Sequence, residues 1–590
     1  MPEQNTDQRT LDFVLECYKY SRTASQDIRD QYDQDWKYYM SYRDPNIYQW
    51  RSNLFIPWIF QCIESITPHL VNTVLGVDPP ISALPRGVNG YLGAKVFEYL
   101  FAQQCKQNNT FTKAVIGIKD SKIFGKSVWF VPWRYEPGSF DCWDIIPLDP
   151  YNCRPDLRFD TIERMQFFQF KDYIPLARLQ RAAELGLGGG KKYKNLNQLT
   201  KTKNSWGKEN QMAHLKRQQL VGLSPNVKSP ESQPLVEIIH HWEDDRWIQV
   251  ANRAVVVFDS NDSQYPYQRN GKPTRKPLID ITPIPIPHQW QGFSVPKLLG
   301  DLQEELNDKR NQRLDNVRYL INKMWLVARG AGIDIDRIIS QPYGIIETND
   351  MNAMKDVSGQ DVTQSAVREE AMVKGDMEET MGNYKNFRGA DPEQFQTATT
   401  TTSLQSMAGS RFGLEAQLIE KSVAKLAEMA LERNLQFMDK RVPIRMTEDI
   451  VEFEGLPDYE KVGAYRFFMA DRNIIDAEYD IEPVGSASDP MANSQTRVML
   501  MNQTYNLIAQ EAFVNRREFV KEIFAASKLR NPKLLMPEQM PMLPGLGITP
   551  GGQPPYPGAV MPAQSMQAPT NDAEMMQAIG RMGGSAKVGQ

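Results

Sequence analysis

A glycine-rich run, Gly186 to Lys192, is the part of this 590-residue chain that comes nearest to a site for chemistry. Glycines before a lysine can wrap a phosphate group, but a phosphate-binding loop also needs Ser or Thr directly after the lysine and a strand before the glycines. Here Lys191 is followed by Lys192 and Tyr193, and the pattern before the run is helical. The run therefore predicts a flexible hinge and not a nucleotide site.

The histidines and acidic residues are also poorly spaced for metal binding or acid–base catalysis. His240 and His241 are adjacent, and adjacent side chains on a strand point to opposite faces, so they cannot chelate one ion. The acidic runs Glu243–Asp245 and Glu369–Glu370 lack the apolar surroundings that raise the pKa of a catalytic carboxyl group, and we interpret them as solvated faces. We therefore predict no catalytic residue, no metal site and no cofactor.

Composition narrows the class of protein. The net charge of −4 argues against a basic protein that binds nucleic acid through attraction to phosphate, although a near-neutral surface suits a protein that lets DNA pass. The five cysteines are scattered and odd in number, which argues against a disulfide framework and favours synthesis in a reducing cytoplasm. We expect no signal peptide at the N-terminus, and no membrane span, because no run of about 18 apolar residues occurs.

Hydrophobic periodicity divides the first half of the chain into a helical part and a strand-rich part. Helical spacing dominates residues 7–124, and a period of two dominates much of 127–258. Between these strands, residues 186–234 are polar, basic and weakly periodic, which predicts an exposed insertion. We interpret its basic part, Lys191 to Arg217, as a solvated loop, with contact to nucleic acid or to an acidic partner as the alternative.

The stretch from Ser294 to Lys440 has the most informative pattern. It predicts a polar helix at Ser294–Asn322, a small β module, a second polar helix at Gln364–Phe387, a Thr-rich loop and one very long helix. The first helix carries Pro296 in its first turn and would span about 40 Å. Helices this polar either pack sideways against copies of themselves or stand in solvent. Two such helices on either side of a β module are more typical of a subunit that is repeated around a ring than of a monomeric enzyme.

Three groups of residues, taken with their order and spacing, give the chain a family resemblance. They are the W-x-S-N-L-F-x-P block from Trp50 to Pro57, the run from Gly292-Phe293-Ser294-Val295-Pro296 to Asn316, and the entry of a Thr-rich loop into a long helix at Ala398–Met407. In these features the chain resembles the portal proteins of tailed bacteriophages, the short-tailed phage type in particular. The resemblance covers roughly residues 10 to 530.

The resemblance implies an α+β portal fold, mainly helical with a β-rich wing and clip, assembled as a ring of about twelve copies around a central channel. The implied segments are the wing (1–293, with the insertion at about 186–234), the first stem helix (294–323), the clip (324–363), the second stem helix (364–387), the tunnel loop (388–402), the long wing helix (403–440), the wing strands (441–487), the crown (488–535) and a disordered Pro/Gly/Met-rich tail (536–590).

The same resemblance implies roles for individual residues. The tunnel loop would face DNA with neutral amides and hydroxyls, which touch phosphates without holding the DNA back. Its expected channel residues are Arg388, Gln394, Gln396, Thr397, Thr399, Thr400 and Thr401. The stem carries charges of both signs that can pair between neighbouring subunits, at Glu304, Glu305, Lys309, Arg310 and Arg313. The clip residues expected at its docking surface are Trp325, Arg329, Arg337 and Tyr343.

The implied function is a non-enzymatic conduit at one vertex of the capsid. The homo-oligomeric ring would dock the terminase large subunit, pass double-stranded DNA inward, and then bind a head-completion or tail adaptor protein, with major capsid and scaffolding proteins around it. It would be made in the host cytoplasm and end in the virion. Two alternatives stay open: another virion structural protein of the tail or internal head, and an enzyme with an unrecognised site, such as a metal-dependent nuclease.

Overall fold

A computed structural model describes fifteen stretches of the chain: residues 2–45, 51–87, 90–136, 140–185, 193–199, 213–223, 235–261, 265–269, 271–321, 324–327, 354–357, 363–382, 398–446, 459–462 and 465–484. All of these stretches fall within one compact unit, Met1–Lys528. The fold combines helices and antiparallel strands, which agrees with the predicted α+β class.

The helices form where apolar residues recur at helical spacing. They are α1 (Pro2–Ala24), α2 (Gln26–Tyr39), α3 (Trp58–Leu75), α4 (Tyr91–Gln107), α5 (Thr110–Phe124), α6 (Leu176–Leu185), α7 (Leu196–Leu199), α8 (Ala213–Leu220), α9 (Val295–Ile321), α10 (Thr363–Thr380), α11 (Ala398–Phe437) and α12 (Arg472–Ile475).

The strands are short and pair antiparallel. They are β1 (Ile81–Pro85), β2 (Ser127–Phe130), β3 (Trp133–Glu136), β4 (Phe140–Trp143), β5 (Ile146–Leu148), β6 (Cys153–Pro155), β7 (Phe168–Pro175), β8 (Leu235–Trp242), β9 (Trp247–Ala251), β10 (Val255–Asp259), β11 (Gln268–Arg269), β12 (Lys272–Pro273), β13 (Leu278–Ile281), β14 (Met324–Val327), β15 (Met354–Val357), β16 (Val442–Met446), β17 (Tyr459–Val462), β18 (Tyr465–Ala470) and β19 (Tyr479–Pro483). The sheet orders are β10-β9-β8-β7-β6, β13-β2-β5, β16-β18-β17, β1-β19, β3-β4, β11-β12 and β14-β15.

The five-stranded sheet is buried on both faces. Apolar residues of α1 cover one face, and an aromatic cluster that includes Trp242 and Trp247 fills the other. His241 lies on the α1 side, with its ring centroid 5.5 Å from that of Phe13, whereas the ring of His240 stacks on Phe170 at 4.5 Å. The two histidines therefore point to opposite faces, as predicted, and both serve the packing of the sheet.

The largest core joins α3, α4, α5 and α11, and one buried ion pair crosses it. Lys122 of α5 and Glu415 of α11 form this pair, with only 2% and 8% of their side chains exposed. Gly125 ends α5 in the left-handed region (φ 77°), the conformation in which glycine commonly caps a helix. A side chain at Gly125 would collide with the backbone of Gly292, so the end of α5 lies against the residues that lead into α9.

The structure moves several predicted boundaries. Helix α11 begins at Ala398 and not at residue 403, because threonine costs only about 0.5 kcal/mol in a helix and the helix that follows is long. Within the strand-rich part predicted over 127–258, residues 161–167 form turns and bends, and β7 begins only at Phe168. The second polar helix is α10, which the structure describes over Thr363–Thr380.

The described parts of the insertion, 193–199 and 213–223, are docked and not free in solvent. Lys194 forms an ion pair of 2.5 Å with Asp7, and Leu199 is buried. In α8, Lys216 lies 2.7 Å from Asp33, and Arg217 pairs with Asp149. The predicted exposed insertion is therefore wrong for these two stretches, because their basic side chains find acidic partners on the surface of the wing region. Residues 186–192, 200–212 and 224–234 lie outside the described residues.

Candidate functional site

The longest polar element at the candidate site is α9, and its first turn is fixed by capping. The Ser294 hydroxyl accepts a hydrogen bond from the backbone N–H of Lys297 at 3.0 Å. Pro296 follows within the first turn, where its missing N–H leaves no bond unmade. With 27 residues the helix is about 40 Å long. The cap and the proline explain why the helix begins where the sequence predicted.

One face of α9 carries a row of polar side chains, which we call the amide ladder: Gln303, Asn307, Asn311 and Asp315. Their spacing of four residues places them above one another on the helix. Gln303, Asn307 and Asn311 are buried. They lie against an extended segment, residues 52–57, that contains most of the W-x-S-N-L-F-x-P block, and against the first turn of α3 that follows it.

The amide ladder binds this segment through its backbone. Its side-chain oxygens accept hydrogen bonds from Ser52 N (by Asp315, 2.8 Å), Leu54 N (by Asn311, 2.8 Å), Ile56 N (by Asn307, 2.9 Å) and Ile59 N (by Gln303, 3.3 Å). The amides of Asn311 and Gln303 also donate to the carbonyls of Leu54 and Ile56, at 3.0 and 2.8 Å. The helix thus satisfies a backbone that has no sheet partner.

Helix α2 holds another face of α9. Four side-chain contacts run along the two helices and the residues before α9: Tyr32 to Gln291 (2.9 Å), Asp35 to Ser294 (2.8 Å), Tyr38 to Glu304 (2.5 Å) and Arg43 to Asp308 (2.6 Å). Gly300 lies against the ring of Tyr38. Helix α9 is therefore fixed to the N-terminal region by both α2 and the segment before α3.

The remaining charged face of α9 pairs with α10. Lys309 lies 2.6 Å from Glu369, and Glu370 contacts both Arg310 (3.4 Å) and Arg313 (3.0 Å). The side chain of Glu370 is only 6% exposed. The interpretation of Glu369–Glu370 as a solvated face is therefore wrong for Glu370, because two arginines from a helix about 60 residues earlier cover it.

Two described strands lie between α9 and α10 in the sequence. Met324 pairs with Val357 and Val327 with Met354, so β14 and β15 form a small antiparallel sheet. The prediction of a small β module between the two polar helices is confirmed for these two strands. Residues 328–353, between the strands, lie outside the described residues.

The predicted site residues are distributed as follows. The structure brings Lys309, Arg310 and Arg313 together against α10, while Glu304 and Glu305 are exposed. Trp325 lies in β14. Thr399, Thr400 and Thr401 lie in the first turns of α11, so their prediction as loop residues is wrong. Seven predicted residues lie outside the described part of the chain: Arg329, Arg337, Tyr343, Arg388, Gln394, Gln396 and Thr397.

Sequence reasoning missed the amide ladder as a site, although its signal was present. Gln303 and Asn307 lie within the run that carried the resemblance, but the repeat of polar side chains every four residues was not interpreted as one binding face. Among the described residues, no group of His, Cys, Asp or Glu is arranged to hold a metal ion. Within the same ranges, no helix is long and apolar enough to cross a bilayer.

The arrangement of α9, a small sheet, α10 and the long α11 can be compared with known families. Residues 251–455 match the family model described as Phage SU10 portal protein. Over these residues the chain is similar to the portal proteins of short-tailed phages. No curated protein matches the chain significantly. The match includes α9, β14, β15, α10 and α11, and with them two of the three groups of residues that carried the resemblance, whereas Trp50–Pro57 lies outside it.

Asp35 lies beside the start of α9, where its carboxyl group gives a prediction on pH. Burial raises the pKa of Asp35 to about 7, although hydrogen bonds from Gln31 and Ser294 and the charge of Lys297 lower it. A raised carboxyl pKa stabilises the fold fully below the unfolded pKa of about 4, and this contribution is lost as the pH rises through about 7. Asp35→Asn should therefore raise stability relative to the wild type by about 2–4 kcal/mol at pH 8.5, raise it less at pH 5, and change it little at pH 3.

The measurement for Asp35 is the difference in the thermal unfolding midpoint between the two proteins, taken at a series of pH values. Taking the difference cancels other groups in the same range, such as Asp120, whose pKa burial also raises to about 7. Asp301→Asn provides a control, since Asp301 is an exposed carboxyl group on α9. A stability difference that does not change between pH 5 and 8.5 would contradict a buried, uncharged Asp35.

Proposed function

We propose that this chain forms the ring-shaped channel at one capsid vertex through which double-stranded DNA is packaged and later ejected. The observation that carries the proposal is the portal-family match over residues 251–455, which spans the paired helices, the small sheet and the long helix. The family is structural, and the proposed work is passive guidance of DNA. Energy for translocation would come from the terminase motor docked on the ring.

The internal contacts of the stem support a rigid unit that can be repeated around an axis. The basic residues Lys309, Arg310 and Arg313 are paired with α10 of the same chain, so they are not the first groups available to a neighbouring copy. Glu304 and Glu305 are both exposed on α9, and Glu304 also accepts a hydrogen bond from Tyr38 of α2. We therefore propose that Glu304 and Glu305 contribute to contacts between subunits, and that Lys309, Arg310 and Arg313 hold each stem together.

The segment that leads into α11 is proposed to face DNA. Its residues before Ala398 would donate hydrogen bonds to phosphate from neutral side chains. Thr399–Thr401 would place the first turns of α11 near the bore. The clip around β14 and β15 would dock the terminase large subunit during packaging and the tail adaptor afterwards. Capsid and scaffolding proteins would surround the wing, and the assembled protein would reside in the virion.

The test of this function is whether the purified full-length protein forms closed rings. Negative-stain electron microscopy should show rings with an open centre wide enough for a DNA duplex, and the protein alone should not hydrolyse ATP. Glu370→Lys should lower the yield of rings at least about tenfold, because it replaces the buried partner of Arg310 and Arg313 by a third cation at a cost of about 3–5 kcal/mol.

The matched control for the ring test is Glu184→Lys, the same change at an exposed position of α6. It should leave ring formation unchanged. Wild-type protein that stays monomeric at assembly concentrations would contradict the proposed channel. Open spirals or a tail-like tube in the micrographs would favour a different virion structural protein.

A further inference from the structure

A small cavity lies beside the junction of α1 and α2, away from the stem. Its walls include Ser25 and Arg29 at this junction, Lys126 beside β2, Cys153 of β6, and Trp290. Its volume is about 30 Å³. One water-sized sphere needs about 10–15 Å³ by the same measure, so the cavity has room for a small polar species but not for an organic cofactor.

The polar groups that line this cavity are hydrogen-bond donors, and some of their O–H and N–H groups have no acceptor among the described residues. The Ser25 hydroxyl is buried and has no hydrogen-bond partner among the described residues. Lys126 is 5% exposed, and its ammonium group bonds to Asp280 (3.0 Å) and lies 3.5 Å from the ring centroid of Trp290. An ammonium group carries three N–H donors, so at least one of the three remains for the cavity.

Arg29 adds a guanidinium group whose charge has no counterion within the described part of the chain. Its Nε and Nη2 donate only to the backbone oxygens of Ser25 and Arg22 and to the side-chain amide oxygen of Gln26. Its Nη1 makes no hydrogen bond there. Burial lowers the pKa of Arg29, and the nearby charges of Arg154 and Arg22 lower it further, whereas those of Tyr18 and Asp30 raise it. On balance the guanidinium group lies in surroundings that disfavour its charge.

The balance of charge around the cavity favours an anion over a cation or a neutral molecule. Two cationic side chains line it, and no carboxylate does. Asp280 compensates Lys126 from outside the lining, whereas the hydrogen bonds of Arg29 all go to neutral oxygens. The thiol of Cys153 also lines the cavity, and burial raises its pKa, so it stays neutral and adds no negative charge.

We propose that this cavity binds one small inorganic anion of the size of chloride, held by Ser25, Arg29 and Lys126. The anion would accept hydrogen bonds from the hydroxyl, the free guanidinium nitrogen and the ammonium group, and it would supply the missing negative charge. Because it would contact the start of α2 and the residue before β2, it would stabilise the packing of α2 against this strand. This site is independent of the proposed channel function.

The experiment uses bromide as a heavy analogue of chloride with the full-length protein. Crystals grown in 100 mM sodium bromide should show an anomalous difference peak in the cavity. In solution, thermal unfolding should shift upwards by about 1–2 °C in chloride or bromide relative to gluconate at equal ionic strength. In the Arg29→Gln variant, the halide concentration that gives half of this thermal shift should be at least about tenfold higher.

Two further variants keep the test decisive. Ser25→Ala removes only the hydroxyl donor, so it should fold and should lower the bromide occupancy. Arg164→Gln removes a positive charge from an exposed position, with 67% of its side chain accessible, and should leave the halide dependence intact. An empty or water-filled cavity would overturn the proposal. So would bromide density without a thermal shift in the wild type, which would indicate an adventitious ion only.

Discussion

Replacing Lys122 by methionine is expected to destabilise the fold by about 3–5 kcal/mol, because it leaves Glu415 as a buried charge without its partner. The pair joins α5 to α11 through the largest core, and both side chains are more than nine-tenths buried. The loss should appear as faster amide hydrogen exchange in both helices and as a lower thermal unfolding midpoint.

A double variant distinguishes the net stability that this ion pair contributes from the cost of leaving one of its charges unpaired. Lys122→Met combined with Glu415→Leu should recover most of the lost stability, since apolar side chains of similar volume often replace a buried ion pair without loss. Lys425→Met is the matched control on α11: its pair with Glu163 is about half exposed, so it should cost less than about 1 kcal/mol. An equal loss in the single and double variants would show that packing, and not charge, is responsible.

Substitution of both central residues of the amide ladder should release the segment before α3. Asn307→Ala with Asn311→Ala removes the side-chain partners of Ile56 N, Leu54 N and Leu54 O. At about 1 kcal/mol for each lost hydrogen bond, the expected cost is about 2–4 kcal/mol. Hydrogen exchange at the amides of Leu54 and Ile56 should accelerate by about thirtyfold or more.

Gln312→Ala is the control for the ladder, since Gln312 is an exposed amide residue on the same helix. It should leave exchange at Leu54 and Ile56 unchanged. If the double ladder variant also left those amides protected, the segment would be held by its packing against α3 and not by the ladder. Protease cleavage within residues 51–57 offers a second readout of the same release.

The sequence predicted the stem helix well because its signals are local. Pro296 in the first turn and sparse apolar positions at helical spacing are properties of neighbouring residues, and α9 begins and ends within one residue of the prediction. The start of α11 was less predictable. A run of threonines is typical of a loop, yet a short run of weak helix formers is carried along when a long stable helix follows.

What the sequence did not reveal depends on residues far apart in the chain. The sequence around Glu370 does not indicate that Arg310 and Arg313 bury it. The sequence of the insertion likewise does not indicate that its basic side chains pair with Asp33 and Asp149. The Trp50–Pro57 block and the run after Gly292 entered the sequence argument as separate resemblances. In the fold the backbone of the first lies on the amide ladder of the second, so the two motifs are halves of one contact.

The geometry of that contact has a mechanical consequence for the proposed channel, through which DNA would be driven. The four ladder bonds cross from α9 to the neighbouring segment and follow one another along the helix. A force along the axis therefore loads all four in shear at the same time, whereas a sideways force would peel them one by one. Thrust along the bore would meet the combined strength of the row, and the attachment would yield most easily to a pull that bends the stem outward.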